Sequence, residues 1–581
     1  MAKIWTTRNR ALVVGIGLAM AFTACSFRLV FLIEKDRIPG QKPRMSGVVE
    51  RNLTLYAKRG VIWDKHNEVL ASEDEVSRVI ADSSLIPPDK VEAIADLLVQ
   101  YIRMPRQEAL DVLNSHRRYI ILSRKTPKED ALNLKRACHD QKLPGIYLED
   151  DWQRDYPNGQ LLSQVVGHTN AEHVGVAGLE QSADSLLRGT NGYRKYTTDA
   201  SGRELSAFRR EEVPPVNGAN LRLALDSGAQ AIVDKELDHL VAKYKPEKAT
   251  ILIMNPHTGD LIAMGNRPTF DPRDLKSSEM SERRNPAVQD VYEPGSTFKI
   301  VAAAAALNEG IVGPETSIFC HNGSFMYKGS ELKDHHAYGD LTVTNILAKS
   351  SNVGAAKLAL QLGQQRYFQY VQAFGFGEKT GVKLPAETRG ILTPLKHWQP
   401  ITITRVPMGH SIAVTPMQMV CAMSVIANGG VLLEPRVVEA KIDENGKTLE
   451  PMPVVSRRRV LKVETARQLR RMLVKTTQKG GTATQAAIPG YEVAGKTGTA
   501  QKVREGRPGY IPGKYVVSFL GFLPADDPAF VGIVVVDAPK ASEDEAYGGT
   551  IAAPSFARVA TELVKYLDLE PDPKLLSAAA E

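Results

Sequence analysis

Ser296 and Lys299 stand three residues apart in residues 293–307, EPGSTFKIVAAAAAL. On a helix, positions i and i+3 project from one face about a turn apart, so the amine can take the hydroxyl proton. A serine opening a buried helix is placed for nucleophilic attack, because unpaired N–H groups and the positive end of the macrodipole stabilise a developing oxyanion. A desolvated lysine beside it loses its proton near neutral pH and serves as general base. The spacing alone is not specific: residues 330–333, SELK, repeat it. That copy follows a glycine in a polar, histidine-bearing stretch with no apolar helix after it, and is expected to be a surface loop.

Two further sets of residues have types suited to the same chemistry. Ser350-Ser351-Asn352 offers a hydroxyl and an amide that can pass a proton to a leaving group and hold a peptide backbone, although the triplet is equally a helix cap. Lys496-Thr497-Gly498-Thr499 lies in YEVAGKTGTAQ. A strand bearing a lysine, a hydroxyl and a glycine can pair edge-on with a peptide while the cation and hydroxyl bind its carboxylate. The glycine lets a substrate come close to the backbone. A second K-T-G at 379–381 falls in a glycine-rich loop and reads as structural.

The elements that must position these residues follow from patterning. Glu-Pro-Gly before Ser296 reads as a turn, residues 300–307 as a buried alanine-rich helix, and 308–310 as its stop. Residues 345–349 predict a helix leading to Ser350, and 353–362 an amphipathic one after it. Runs at 250–254 and 261–264, joined by PHTGD as a hairpin turn, and at 493–500, 515–522 and 530–537 have the β-branched content of strands. Helices are expected at 227–244 and at 552–567, the latter with Pro554 in its first turn. Strands at both ends with helices between imply one α/β domain, 227–570, whose sheet closes late, followed by a short tail at 571–581.

Residues 46–220 are polar and mixed, with short β-like runs, a helical run near 91–102 and punctuating prolines. Residues 56–71 predict two short strands around a turn at 64–67, with Asn67 suited to positive φ. GVAGLE at 175–180 is too poor in glycine for a dinucleotide site and reads as a turn. A pedestal or interaction domain is expected here.

A chain of 581 residues implies several domains, and 43% hydrophobic with 24% charged residues describes an ordinary folded protein. The net charge of +7 is spread along the chain without an RNA-binding signature, so nucleic acid is not an expected partner. Residues 11–33 are apolar apart from Thr23, Ser26 and Arg28 and long enough to span a bilayer. Lys3, Arg8 and Arg10 precede the span and Lys35, Arg37, Lys42 and Arg44 follow it, so charge leaves orientation open. The short N-terminal side, residues 1–10, favours a cytoplasmic N-terminus. Thr23-Ala24-Cys25 resembles a lipoprotein cleavage site, but the apolar run continues to Ile33, which favours an uncleaved anchor. Cys25, Cys138, Cys320 and Cys421 lack metal-ligand spacing, and His335-His336 point to opposite faces of an extended chain.

S-x-x-K, S-x-N and K-T-G in this order make up the signature set of the penicillin-recognising serine enzymes. RGVIWD at 59–64, DYPNG at 155–159, GVAGLE, RNPAVQDVYEPGSTFK at 284–299, ETRGILTP at 387–394 and GHSIAVTPMQM at 409–419 complete the likeness, with Thr415, Pro416 and Gln418 arranged as a capping box. The chain resembles a class B penicillin-binding protein, a membrane-anchored peptidoglycan D,D-transpeptidase, and its Y-E-P-G lead-in is closer to the cell-division branch than to the elongation branch. Asn67 stands where that family's turn has a glycine.

The resemblance implies an α/β (α+β) architecture: one N-terminal transmembrane helix, an elongated mixed pedestal of dimerisation type, and a transpeptidase domain with an antiparallel sheet flanked by helices. It makes Ser296 the acylated nucleophile and Lys299 its base. Ser350 and Asn352 relay protons and contact the substrate, Lys496 and Thr497 recognise its carboxylate, and the Ser296 and Thr499 N–H groups form the oxyanion hole beside Gly498. It implies D-Ala-D-Ala stem peptides as donors, β-lactams as covalent inhibitors, no metal or organic cofactor, and a polytopic SEDS-type glycosyltransferase and divisome membrane proteins as partners. The catalytic domain would lie outside the cytoplasmic membrane, and the chain's end soon after the last helix leaves no room for wall-binding repeats. Three alternatives stay open. One is an elongation-type enzyme. A β-lactamase would need a water-activating group, and no E-x-x-L-N lies between Asn352 and Lys496. A β-lactam sensor would need more than about ten residues before the span.

Overall fold

The computed structural model describes residues 7–35, 49–198, 211–504, 506, 509–542 and 544–580. Thr7–Lys35 is one helix, and its stretch Leu12–Phe31 is apolar, exposed along its length and long enough for a hydrocarbon core of about 30 Å. Lys3, Arg37, Lys42 and Arg44, the start of the pedestal at Ser46, and Glu581 lie outside the described residues.

The chain forms two compact units, Met1–Ala57 with Thr190–Val216, and Lys58–Gly189 with Asn217–Glu581. The first contains an antiparallel sheet of Val49–Leu55, Gly192–Thr198 and Glu211–Val213.

In the second unit the β-branched runs of the C-terminal segment assemble one five-stranded antiparallel sheet. Its strands are β1 (Lys248–Met254), β2 (Leu261–Arg267), β3 (Ala494–Val503), β4 (Tyr510–Leu523) and β5 (Phe530–Asp537), in the order β2-β1-β5-β4-β3. Period-2 alternation sends Ile251, Ile253, Val517, Phe519, Val534 and Val536 to one face, where helices α1 (Ser227–Tyr244) and α5 (Ala553–Tyr566) cover them. Leu252, Met254, Leu520, Phe522, Val531 and Ile533 point the other way, into a core shared with α2 (Lys299–Asn308) and α4 (Pro416–Ala427). Both of those helices are buried almost throughout, which is why they show no polar face in the sequence. The capping box at Thr415 and Gln418 is formed, and Pro554 occupies the first turn of α5, both as expected.

The same unit holds a second sheet that runs from the upstream segment into the downstream one. Thr448–Pro451, Val438–Ile442, Asn220–Leu223, Ile62–Trp63 and Val69–Ala81 lie in that order, and Val69–Ala81 pairs further with Ile120–Pro127 and Ile146–Asp155. Asp64 closes the expected turn by accepting the His66 and Glu68 N–H groups at 2.8 Å, with Asn67 at φ 66°. The strand after the turn is 13 residues long rather than short, because two partners sheathe it. The other Asp64 oxygen accepts from Ser227 N at 3.0 Å, at the start of α1, where Asp226 caps Gly228 and Ala229.

Two local expectations need correction. GVAGLE is not only a turn: Gly178–Ser182 is helical and carries Glu180 fully buried. Glu180 accepts from Arg59 Nε at 2.5 Å and Arg154 Nε at 2.7 Å, so RGVIWD and GVAGLE meet through a buried carboxylate. Nor is 330–333 a loop; Ser330–Lys333 is a strand paired with Ser324–Tyr327. Lys328 at φ 48° and Gly329 at φ 78° form a two-residue turn of the type that matches hairpin twist.

Candidate active site

Ser296 sits on a wedged turn. Gly295 has φ 56°, and a Cβ there would lie 2.8 Å from Thr499 O on β3. On the opposite side a Cβ on Gly409 would come within 2.2 Å of Gly295 O, and Gly295 N donates to Gly409 O. Thr297 Oγ1 donates to Pro294 O at 2.8 Å. Ser296 therefore belongs to a 3₁₀ turn, Gly295–Phe298, that leads into α2 rather than to α2 itself. Glu293 ties the turn outward, accepting from Ser411 N at 2.9 Å and from Tyr510 OH at 3.0 Å, with His410 Nδ1 at 2.9 Å.

Lys299 is the first residue of α2 and only 1% exposed. Its Nζ lies 3.0 Å from Ser296 Oγ, 3.1 Å from Ser350 Oγ, 2.5 Å from Ser350 O and 2.7 Å from Asn352 Oδ1. Burial pushes the amine down to about 7, opposed by the charge of Asp334. Ile300 to Ala306 have no exposed surface, so the apolar half of the segment supplies that desolvation.

Ser350 occupies the joint between the helix Val343–Ala348 and α3 (Asn352–Leu362), at φ 60°, a left-handed conformation that a non-glycine residue adopts only under constraint. The constraint comes from Asp334, a residue that sequence reasoning missed. Its carboxylate accepts from Ser351 Oγ at 2.7 Å, from Asn352 N and from Val353 N at 3.1 Å. A carboxylate on the first N–H groups of a helix satisfies orphan donors and complements the dipole. Asn352 is then fixed at both ends of its amide, since Nδ2 donates to Lys333 O at 2.8 Å.

β3 is the edge strand of the five-stranded sheet, as its proposed pairing with a peptide requires. Lys496, fully buried, donates to Ser350 Oγ at 2.9 Å and lies near Thr497 O and Oγ1. Burial holds its amine well below the ordinary lysine range, and Lys299 pushes in the same direction. Thr497 Oγ1 meets Thr482 Oγ1 at 3.1 Å, a second residue without a sequence signal, while Thr499 Oγ1 accepts from Gly548 N at 3.1 Å. A Cβ on Gly498 would lie 2.5 Å from Ser518 Oγ and 2.8 Å from Pro294 O. This glycine makes room for the turn that carries Ser296.

Ser296, Lys299, Ser350, Asn352 and Lys496 are thus joined by hydrogen bonds, with Thr497, Gly498 and Thr499 on the adjoining strand. The other copies of the motifs are structural: Ser330 Oγ accepts from Arg405, Lys333 is exposed, and Thr380 donates to the buried Glu387. A serine hydroxyl facing an amine that burial makes ready to lose its proton near pH 7, with a second hydroxyl bridging to another lysine, can take up an acyl group and move the displaced proton onward.

Residues 249–561 match the penicillin binding protein transpeptidase domain and residues 54–223 the penicillin-binding protein dimerisation domain. Stage V sporulation protein D of Bacillus subtilis is 34% identical over 527 residues, 90% of this chain and 80% of its own length. Peptidoglycan D,D-transpeptidase FtsI of Escherichia coli K12 is 31% identical over 562 residues, 96% and 91% of the two chains. The crystal structure of penicillin binding protein 3 from Mycobacterium tuberculosis complexed with aztreonam superposes with a TM-score of 0.70 at 27% identity, covering 90% of this chain and 99% of that one. Fold and site together define a penicillin-recognising serine enzyme. The chain belongs to the penicillin-binding protein transpeptidase family, with the dimerisation and transpeptidase domains of its class B members.

Proposed function

We propose that this protein cross-links peptidoglycan stem peptides as a serine acyl-enzyme D,D-transpeptidase, with Ser296 as nucleophile and Lys299 as base. The observation that carries the reading is the single amine of Lys299 within 3.1 Å of Ser296 Oγ, Ser350 Oγ and Asn352 Oδ1 at once. Neutral Lys299 takes the Ser296 proton as Oγ attacks the carbonyl between the two D-alanines of a donor stem. The Ser296 and Thr499 N–H groups stabilise the oxyanion. Lys299, now charged, returns the proton through Ser350 Oγ to the departing D-alanine amine, and the C–N bond breaks. Lys496 and Thr497 hold the departing carboxylate. An amine from a neighbouring stem then attacks the ester carbonyl, loses a proton to Lys299 by the reverse relay, and restores the Ser296 hydroxyl. A β-lactam enters the first half of this cycle and remains as a stable ester.

The division-type Y-E-P-G lead-in before Ser296 supports septal synthesis during division. The apolar span Leu12–Phe31 fits a single-pass anchor in the cytoplasmic membrane, with the N-terminus inside and the catalytic segment facing the wall. Residues 46–220 serve as pedestal and 227–570 as transpeptidase domain, and a SEDS-type glycosyltransferase with other divisome membrane proteins is the expected partner set. Labelling with fluorescent penicillin tests the assignment: Ser296→Ala loses the covalent band, while Ser330→Ala keeps it. A band that survives Ser296→Ala in a folded protein would sink the assignment.

A further inference from the structure

Next to α3 a row of rings lies on the surface, unused by the chemistry above. Phe319 and His321 have centroids 4.8 Å apart, His321 and Phe325 4.8 Å, and Phe325 and Tyr327 6.2 Å with planes 29° apart. Phe319 is 45% exposed, and His321, Phe325 and Tyr327 are half-buried. The Lys357 ammonium stands over the Phe319 and Phe325 rings at 5.9 and 5.6 Å, and donates to Phe319 O at 2.7 Å and to His321 Nε2 at 3.0 Å.

Phe325 and Tyr327 each pack one side against the core, and two observations set the row apart from packing alone. His321 and Asn322 both have left-handed backbones, at φ 52° and 49°, a conformation with an energetic cost for side-chain-bearing residues. That turn is what brings the imidazole between the two phenylalanines. Second, the row is continuous with the active site: Lys357 lies five residues after Asn352 on α3, about 7.5 Å along the axis. The strand Ser324–Tyr327 pairs with Ser330–Lys333, whose last carbonyl holds the Asn352 amide.

We propose that this ring row binds the amino-sugar chain from which a stem peptide hangs. Aromatic faces carry negative charge and suit the C–H faces of pyranose rings; Lys357 covers one face of Phe319 and of Phe325, and the 45% exposure of Phe319 leaves ring surface for that contact. An ammonium has three N–H bonds, so with two engaged Lys357 keeps one donor for an acetamido oxygen, and donation to Nε2 leaves His321 a second donor at Nδ1. An extended stem of five residues spans about 17 Å, which lets the sugar rest on the row while the stem's end reaches Ser296.

The inference rests on the transpeptidase reading, and the two fail separately. Glycan chains stripped of peptide by an amidase serve as the probe, with the full-length protein in detergent. Wild type is expected to bind them, Phe319→Ala to bind about 3- to 10-fold more weakly, and Phe319→Trp to recover the affinity. The penicillin acylation rate stays unchanged in both variants. Wild type that does not bind the chains, Phe319→Ala that binds as wild type does, or Phe319→Ala that slows acylation would each overturn the proposal. Absence of acylation in wild type would instead overturn the enzyme assignment.

Discussion

Lys299 has four oxygens within reach and no more than three protons to offer them. When neutral it has two, and the lone pair is then free to accept from Ser296. Burial makes that neutral form accessible near pH 7. The sign of the pH dependence follows: protonation below about 7 removes the lone pair, so the penicillin acylation rate should rise through pH 7 and level off above it. A profile flat from pH 5 to 9 would reject Lys299 as the base. Stability moves the same way. Unfolded lysine titrates near 10.4, so the folded chain binds fewer protons between about 7 and that value, and stability grows with pH across the window. Asp334 provides a second test. Its charge favours the ammonium form, so Asp334→Asn should move the acylation midpoint to the acid side, while the amide oxygen can still cap α3. A midpoint that moves to the alkaline side would show that Asp334 acts on Lys299 by another route.

At the scale of elements the site is a junction of three segments, each placed by small residues and caps. The Gly295 turn lies between β3 and Gly409, and Gly498 admits Pro294 O. Gly498→Ala should therefore displace the nucleophile's turn, costing about 1–3 kcal/mol by overpacking and slowing acylation more than it weakens noncovalent peptide binding. Thermal denaturation and acylation kinetics separate the two effects, and acylation at the wild-type rate would show that the turn absorbs the methyl group. Much of this junction was legible in the chain. The β-branched runs marked all five strands, and the alanine-rich run after Lys299 marked α2, because strong local patterns agree with the burial they receive. Asp334 was hidden because 330–333 reads as polar loop, although Lys328-Gly329 carries a hairpin signal. Thr482 carries no pattern at all; it reaches Thr497 only after the chain has folded back across fifteen residues.

Over the whole catalytic unit, the buried charges lie far from the nucleophile in sequence and hold two segments in one body. Arg59 and Arg154 are 2% and 8% exposed and share the carboxylate of Glu180, with Asp184 as a further partner 2.6 Å from Arg59 Nη1. Asp64 joins the turn before Val69–Ala81 to the start of α1, and Tyr566 on α5 donates to Asp226 at 2.8 Å in the same cluster. The sheet that contains Val69–Ala81 also contains Val438–Ile442, so strands on both sides of the active-site segment are expected to unfold together. Glu180→Gln removes the charge between two buried guanidinium groups and should cost about 3–5 kcal/mol, since it leaves Arg154 without its ion-pair partner and Arg59 with Asp184 alone. Because residues 58–189 and 217–581 share that sheet, calorimetry should show the main transition of Glu180→Gln moved to lower temperature as one peak. Penicillin labelling should disappear across the same temperature range. A separate early transition that leaves labelling intact would mean that the upstream strands unfold independently, and that the shared sheet is too weak to couple them to the site.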